Sequence, residues 1–227
     1  MKASSATPLT GAKTAPRASA LVWLALFGIA FGWVEAMVVV YLRQLYYPDG
    51  FSFPLEMLPA REGLLEVARE AATLVMLLAV ARLGARRGWG RFGLFAVAFG
   101  VWDLVYYAGL YVAIGWPASL CEWDVLFLIP GVWTGPVWSP CLIAVALIGA
   151  GSVLYWRGER SLISPVRWFH VVGATVSLAL LLGAFLNNQR LVISGGVPTR
   201  FPLAPYAAGT LVGLWCVTDL LLRRRTC

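Results

Sequence analysis

Six long apolar stretches divide this chain, and they constrain its fold more than any other feature of the sequence. A bilayer core of about 30 Å is crossed by about 20 apolar residues in an α-helix. The first stretch does not have the pattern of a cleaved signal peptide, because its apolar run continues past Val40 without a small-residue cleavage site. The sequence therefore predicts an all-α, polytopic integral membrane protein with six transmembrane helices in one bundle. The predicted spans are 19–42, 62–84, 92–115, 138–156, 166–186 and 204–222.

The composition favours a membrane protein over a soluble one. Hydrophobic residues make up 60% of the chain and charged residues 13%, whereas a soluble domain has about 45–50% and about 25%. Span 2 carries charges in its first turns, a pattern that is also typical of an amphipathic helix on a membrane surface. Its continuous apolar run from Ala71 to Val80 favours a true span.

Lysine and arginine are concentrated on one side of the predicted spans. The positive-inside rule assigns such a side to the cytoplasm, so both termini are expected there. We expect short cytoplasmic tails at 1–18 and 223–227 around a single transmembrane domain at 19–222, in the cell membrane (the inner membrane of a bacterium). The net charge of +7 then reflects topology and anionic lipid, and no nucleic-acid partner is expected. Thirteen of the 18 basic residues lie on this side: Lys2, Lys13, Arg17, Arg82, Arg86, Arg87, Arg91, Arg157, Arg160, Arg167, Arg223, Arg224 and Arg225.

Carboxyl groups lie at matching depths in spans 1 and 2. At 1.5 Å per residue, Glu70 is about 12 Å from the outer end of span 2, and Glu35 is about 10 Å from the outer end of span 1. The two groups are therefore expected at one level of the outer leaflet. Glu70 belongs to a polar stripe at helical spacing, which consists of Glu62, Glu66, Arg69, Glu70 and Thr73.

Span 3 carries a second polar stripe. Gly100, Asp103, Tyr107 and Tyr111 follow one another at helical spacing. Asp103 is expected near the middle of the membrane, and the two tyrosines rise from it toward the outer face. Spans 1 to 3 therefore supply the chemistry-bearing side chains of the predicted bundle.

Ionised side chains inside a span are expected to face protein rather than lipid, because one such group costs roughly 2.5–3.5 kcal/mol at the helix centre. Arg69 cannot neutralise every nearby carboxyl group, so at least one is expected to keep its proton at pH 7 and to act as a general acid or proton carrier. The predicted catalytic residues are Glu35, Glu70 and Asp103. Arg69 and Glu66 are predicted to bind substrate, with Arg69 holding an anionic head group. The alternative is a polar lock that only holds spans 1 to 3 together.

The segment between spans 3 and 4, residues 116–140, is too apolar for a plain aqueous loop. It predicts an interfacial or re-entrant cover over the carboxyl groups. On that interpretation Trp123, Asp124, Tyr107 and Tyr111 join the substrate-binding residues. The alternative is a belt of interfacial tryptophans with the acids in water. The proline residues that interrupt the segment are Pro117, Pro130, Pro136 and Pro140.

No cofactor or metal ion is expected from the sequence. His170 is the only histidine, which excludes a bis-histidine haem and a histidine-built metal centre within this chain. The four cysteines have no metal-binding spacing. Cys121 and Cys141 both fall near the outer surface, and the sequence leaves open whether they form a disulfide.

Three function classes remain open. The first is an acid–base enzyme on a lipid or isoprenoid-type substrate that enters from the outer leaflet. The second is a proton-coupled transporter or carrier that uses the carboxyl groups as a relay. The third is a non-catalytic membrane subunit of a larger complex. Membrane lipid is the expected partner in each case, and the sequence leaves open a homodimer or a larger membrane complex.

Overall fold

The computed structural model describes residues 17–223, and this part of the chain is mostly helical. Most of the two predicted tails, residues 1–16 and 224–227, lies outside the described residues. The elements in chain order are α1 (Arg17–Tyr46), α2 (Ala60–Gly84), α3 (Gly88–Ile114), β1 (Trp123–Phe127), β2 (Trp133–Pro136), α4 (Trp138–Glu159), α5 (Trp168–Phe185), α6 (Gln189–Ile193) and α7 (Leu203–Leu222).

Within residues 17–223, five helical segments are long and apolar enough to cross a membrane. They comprise α1, α3, α4, α5 with its short continuation α6, and α7. The chain is therefore consistent with a multi-pass integral membrane protein. At 25 residues α2 is also long enough to span a bilayer. It is not among the five because of its charges, so the sixth span stays a prediction.

Helix α3 lies at the centre of the fold and packs against α1, α2 and α4. Glycines allow its backbone to approach these neighbours closely. A Cβ atom on Gly93 would lie 2.5 Å from the backbone nitrogen of Tyr155 in α4, and one on Gly32 of α1 would lie 2.6 Å from the carbonyl oxygen of Trp102. Larger residues at these positions would push the helices apart.

Helices α5 and α7 form a pair that meets the rest of the bundle through α4 and the β-strands. The Ser177 hydroxyl of α5 donates a hydrogen bond to the Gly209 carbonyl of α7 at 2.7 Å. Near the other end of this pair, His170 Nε2 lies 2.9 Å from an Asp219 carboxylate oxygen. The pair is thus held by polar contacts at two levels.

The segment between α3 and α4 contains a β-hairpin, which the all-α prediction did not include. Strands β1 and β2 are antiparallel, with Asp124 opposite Gly135 and Val125 opposite Thr134. Cross-strand hydrogen bonds satisfy backbone N–H and C=O groups, which would have no hydrogen-bond partners in an irregular apolar loop near the membrane. Prolines interrupt the segment too often for a helix, whereas short β-branched and aromatic runs between them suit strands. We call the end of the bundle that carries this structure the hairpin end.

Candidate functional site

A cavity of about 470 Å³ lies at the hairpin end. The end of α1, the connection to α2, the first turns of α2, the hairpin and α6 enclose it. Most of its wall is apolar. The apolar residues include Val39, Leu42, Leu55, Met57, Leu58, Val67, Val132 and Ile193, and the charged residues are Arg43, Glu56, Glu66, Arg69, Glu70 and Asp124.

The Arg69 guanidinium lies between two carboxylates at the edge of this cavity. Its Nε and Nη2 atoms donate to one oxygen of Glu66, at 2.8 and 2.7 Å, one turn earlier on α2. Its Nη1 atom pairs with Glu35 of α1. The Thr73 hydroxyl donates to the other Glu35 oxygen at 3.3 Å. Arg69 is therefore ion-paired with acidic groups from two helices.

Glu70 is held differently from its neighbours. Both of its carboxylate oxygens accept a hydrogen bond from the Leu128 backbone N–H, at 3.0 and 2.9 Å. Within residues 17–223 no basic side chain forms an ion pair with it. Only 8% of the residue is exposed, and it borders the cavity. Glu70 thus fastens the turn of the hairpin to α2 and presents a carboxyl group without a paired cation.

A second arginine forms a separate cluster under the hairpin. Arg43 Nη2 lies 3.0 Å from one Asp124 oxygen, and the Tyr107 hydroxyl donates to the other at 3.2 Å. The Arg43 guanidinium also lies 4.3 Å from the ring centre of Phe51 and 3.7 Å from that of Trp116. Burial raises the pKa of the Asp124 carboxyl above its ordinary value, although the Arg43 charge acts in the opposite direction.

Sequence reasoning missed Arg43 as a site residue. It is one of the five basic residues that fall outside the cytoplasmic side of the predicted topology. A cation at the outer end of a span, followed by a loop that contains a carboxylate, is a signal for a buried pair. The sequence predicted that Asp124 would reach over the carboxyl groups, and its ion pair with Arg43 lies in the wall of the cavity.

The three predicted catalytic carboxyl groups have three different environments. Glu35 pairs with Arg69, and Glu70 accepts from the hairpin backbone. Asp103 does not border the cavity, and its Oδ2 atom is buried without a hydrogen-bond partner. It lies close enough to Asp124 for the two carboxyl groups to interact electrostatically. The structure therefore brings Glu35, Glu66, Arg69 and Glu70 together and leaves Asp103 beside the second cluster.

Three of the predicted substrate-binding residues do not line the cavity. Tyr111 is 61% exposed on the outside of α3. The sequence places Tyr111 on the same face of α3 as Asp103. Among the described residues, however, no element covers Tyr111 near the end of α3. Trp123 packs edge-to-face on Phe201, with 6.2 Å between ring centres. Tyr107 is buried and contacts Asp124 rather than the cavity.

The hairpin is anchored to the bundle through its aromatic side chains. Trp133 stacks on Phe185 of α5, with 5.6 Å between ring centres and an angle of 12° between planes. Leu126 and Trp133 of the hairpin also pack in one apolar cluster with Tyr206 of α7. Cys121 and Cys141 are both free thiols, so no disulfide fastens the segment. Packing against α5 and α7, together with the Glu70 contact, thus holds the hairpin over the cavity.

Comparison with known proteins gives no relative for this chain. No family model, no curated protein and no solved structure matches it. Within residues 17–223, no group of three or more His, Cys, Asp or Glu side chains is arranged to hold a metal ion. A function for this chain therefore has to be supported by the cavity and by the residues that border it.

Proposed function

We propose that the protein is a membrane-embedded acid–base enzyme that acts on a lipid-like substrate in the cavity at the hairpin end. The observation that carries the proposal is the placement of Glu70. It is a buried carboxyl group on the wall of an apolar cavity, held by a backbone N–H and without an ion-paired cation among the described residues. Such a group is able to give or accept a proton at a bound substrate.

The cavity supports a lipid-like substrate by its size and its walls. Its volume of about 470 Å³ lies within the range of about 300–1,000 Å³ that is common for small-molecule sites. Apolar side chains from the helices, from the connection between α1 and α2 and from the hairpin provide most of the wall. An apolar chain would bury favourably there, while the polar part of the molecule would meet Glu70.

In this proposal the neighbours of Glu70 act as positioning residues. The Leu128 N–H orients the Glu70 carboxyl group. Arg69 bridges Glu35 of α1 and Glu66 of α2, which fixes the two helices relative to each other. The sequence prediction that Glu35 is catalytic becomes a proposal that it positions Arg69. Asp103 has no catalytic role in this proposal, because it does not border the cavity.

The proposed topology has six spans, with α2 as the second and the hairpin end outside the cell. Charge on α2 is compatible with a span because Arg69 and Glu66 are paired within the protein. The loops at the opposite end carry most of the arginines, and there the Arg87 backbone N–H donates a hydrogen bond to Glu159. Cys121 is exposed at the hairpin end. A membrane-impermeant thiol reagent added to intact cells should therefore label it, and a Cys121→Ser variant should lose that label.

The proposed activity is tested by removing the Glu70 proton site. Cells that produce the wild-type protein should contain a changed lipid species in mass spectra of their lipid extracts. Cells that produce Glu70→Gln should lack this change, although the purified variant remains folded. Asp49→Asn is the matched control, because Asp49 is an exposed carboxylate that does not border the cavity.

Vesicles that contain the purified protein separate the enzyme from the alternatives. We expect no proton flux across these vesicles. A flux that Glu70→Gln and Asp103→Asn both abolish would contradict the enzyme and support a transporter. Suppose instead that wild-type cells show no changed lipid and that Glu70→Gln and Asp103→Asn both lower the melting temperature. The buried polar residues would then serve only to hold the helices together.

A further inference from the structure

We propose that the polar group of the substrate is a protonated amine attached to an apolar chain. The inference deepens the proposed function, since it names the substrate class of the same cavity. Its starting point is the charge of the wall, where two arginines face four carboxylates: Glu56, Glu66, Glu70 and Asp124. With ordinary ionisation the wall has an excess of negative charge.

Both arginines of the wall already pair with acids of the protein, and the Nη1 atom of each, although it has no hydrogen-bond partner among the described residues, is buried away from a head group. Arg69 is engaged by Glu35 and Glu66, and Arg43 by Asp124. A phosphate or carboxylate on the substrate would have to displace one of these acids. It would then leave a carboxylate without its cation beside other carboxylates, which is unfavourable at low local dielectric. The structure thus argues against the expectation that Arg69 holds an anionic head group.

Two acids of the wall lack a paired cation within the described residues. One is Glu70, at the inner part of the site, and the other is Glu56, in the connection between α1 and α2. A protonated amine has three N–H donors and a full positive charge. It would supply the positive charge that these carboxylates lack, together with hydrogen-bond donors beyond the Leu128 N–H that Glu70 already accepts.

Aromatic rings border the same cavity. Tyr46, Tyr47 and Phe51 contribute to its wall, and the rings of Tyr47 and Phe51 pack edge-to-face with 5.1 Å between centres. The Tyr47 hydroxyl accepts a hydrogen bond from the Glu56 backbone N–H at 2.8 Å, which brings Glu56 to this aromatic group. Aromatic faces attract ammonium groups and do not attract phosphates. The Arg43 guanidinium already lies over the Phe51 ring, so it is the Tyr46 and Tyr47 rings and the carboxylates that favour the same kind of ligand.

The amine could belong to a lipid or to a small soluble molecule, and the walls favour a lipid-like one. The aliphatic side chains of Leu42, Leu55 and Val67 line the cavity. A short amine would leave this surface in contact with water, whereas an alkyl chain would cover it. The experiment below therefore compares amines with and without a chain.

The test uses the full-length protein in non-ionic detergent and measures binding by calorimetry and by the shift in melting temperature. The probes are dodecylamine, dodecanol and dodecyl phosphate, which share one chain, together with ethanolamine as an amine without a chain. We expect dodecylamine to bind at least about tenfold more tightly than the other three. Equal binding of the amine and the alcohol would overturn the proposal, and so would tighter binding of the phosphate. Equal binding of ethanolamine would overturn the requirement for an apolar chain.

Three variants assign the binding to the cavity. Glu56→Gln and Glu70→Gln are each expected to weaken dodecylamine binding by about tenfold, as the loss of a charge-assisted hydrogen bond does. Glu56 is exposed, so its variant stays informative if Glu70→Gln folds poorly. Asp49→Asn removes an exposed carboxylate outside the cavity, and its binding should match the wild type. An equal loss in Asp49→Asn and Glu56→Gln would show a nonspecific surface effect and overturn the assignment.

The experiments distinguish a failure of the proposed enzyme from a failure of the proposed amine site. Dodecylamine binding without any lipid product would overturn the proposed enzyme and leave the amine site standing. A product formed from a lipid without an amine would support the enzyme and overturn the amine site.

Discussion

The two arginines at the hairpin end have the same chemistry and different environments. Arg43 is 8% exposed, pairs with one carboxylate and lies against two aromatic rings. Arg69 is 24% exposed and pairs with two carboxylates at the edge of the cavity. The first joins α1 to the hairpin, and the second joins α1 to α2. The difference indicates that Arg43 stabilises the cover, whereas Arg69 sets the shape and charge of the site beneath it.

Arg43→Ala should have the largest effect on stability. It leaves the Asp124 carboxylate buried without its cation, and breaking a buried pair in this way costs about 3–5 kcal/mol. Thermal unfolding in detergent measures the loss. An effect no larger than that of Arg69→Ala would remove the distinction between the two arginines.

Arg43→Ala should also show a characteristic pH dependence. Burial already raises the pKa of Asp124, and without Arg43 the opposing effect is gone. A carboxyl group whose pKa is higher in the folded state destabilises the fold where it is ionised. The loss of melting temperature relative to the wild type should therefore grow as the pH rises from about 4 to about 8. A loss that is constant over this range would contradict the prediction.

Arg69→Ala should have a smaller effect on stability than Arg43→Ala. The variant loses charge-assisted hydrogen bonds, each of which is worth about 1.5–3 kcal/mol, but water from the cavity can solvate the carboxylates that remain. Unfolding measured beside Arg43→Ala gives the comparison. The amine affinity of Arg69→Ala should stay equal or rise, because the wall becomes more negative, and a fall would contradict the charge argument.

Glu70→Ala should loosen the hairpin without unfolding the bundle. The Leu128 N–H loses its acceptor, which costs about 1–3 kcal/mol for a buried donor. Hydrogen exchange followed by mass spectrometry should show faster exchange in the peptide that contains Leu128. Exchange in α3 should match the wild type, and equal acceleration there would indicate global destabilisation.

Thr73→Val should have the smallest effect. It removes a single hydrogen bond to Glu35 of 3.3 Å, and such bonds within membrane bundles average about 0.6 kcal/mol. The change in melting temperature should be small, and the Arg69–Glu35 pair should remain. A loss as large as that of Arg69→Ala would show that Thr73 is essential for the orientation of Glu35.

Features that depend on one helix alone were predictable from the sequence. Apolar length placed the five segments that are suited to cross a membrane, and the spacing of Glu66 and Arg69 predicted a contact along α2 that the structure contains. Gly28 and Gly32 are four residues apart in the sequence, which places them on one face of α1, and both lie against α3. In each case local periodicity carries the information, because it fixes which residues share a face of a helix.

The pairings across the chain were decided by the tertiary structure. Arg43 and Asp124 are 81 positions apart, and Glu70 and Leu128 are 58 apart. Helical periodicity does not specify how far each helix is rotated toward its neighbours, so Asp103 was predicted to share one site with Glu35 and Glu70 but does not border their cavity. It also does not describe the hairpin, whose strands pair through backbone hydrogen bonds between two segments rather than within one helix. Sequence alone thus singled out Glu35, Arg69 and Glu70 as polar residues that face protein, and packing decided how they pair and brought Arg43 to Asp124.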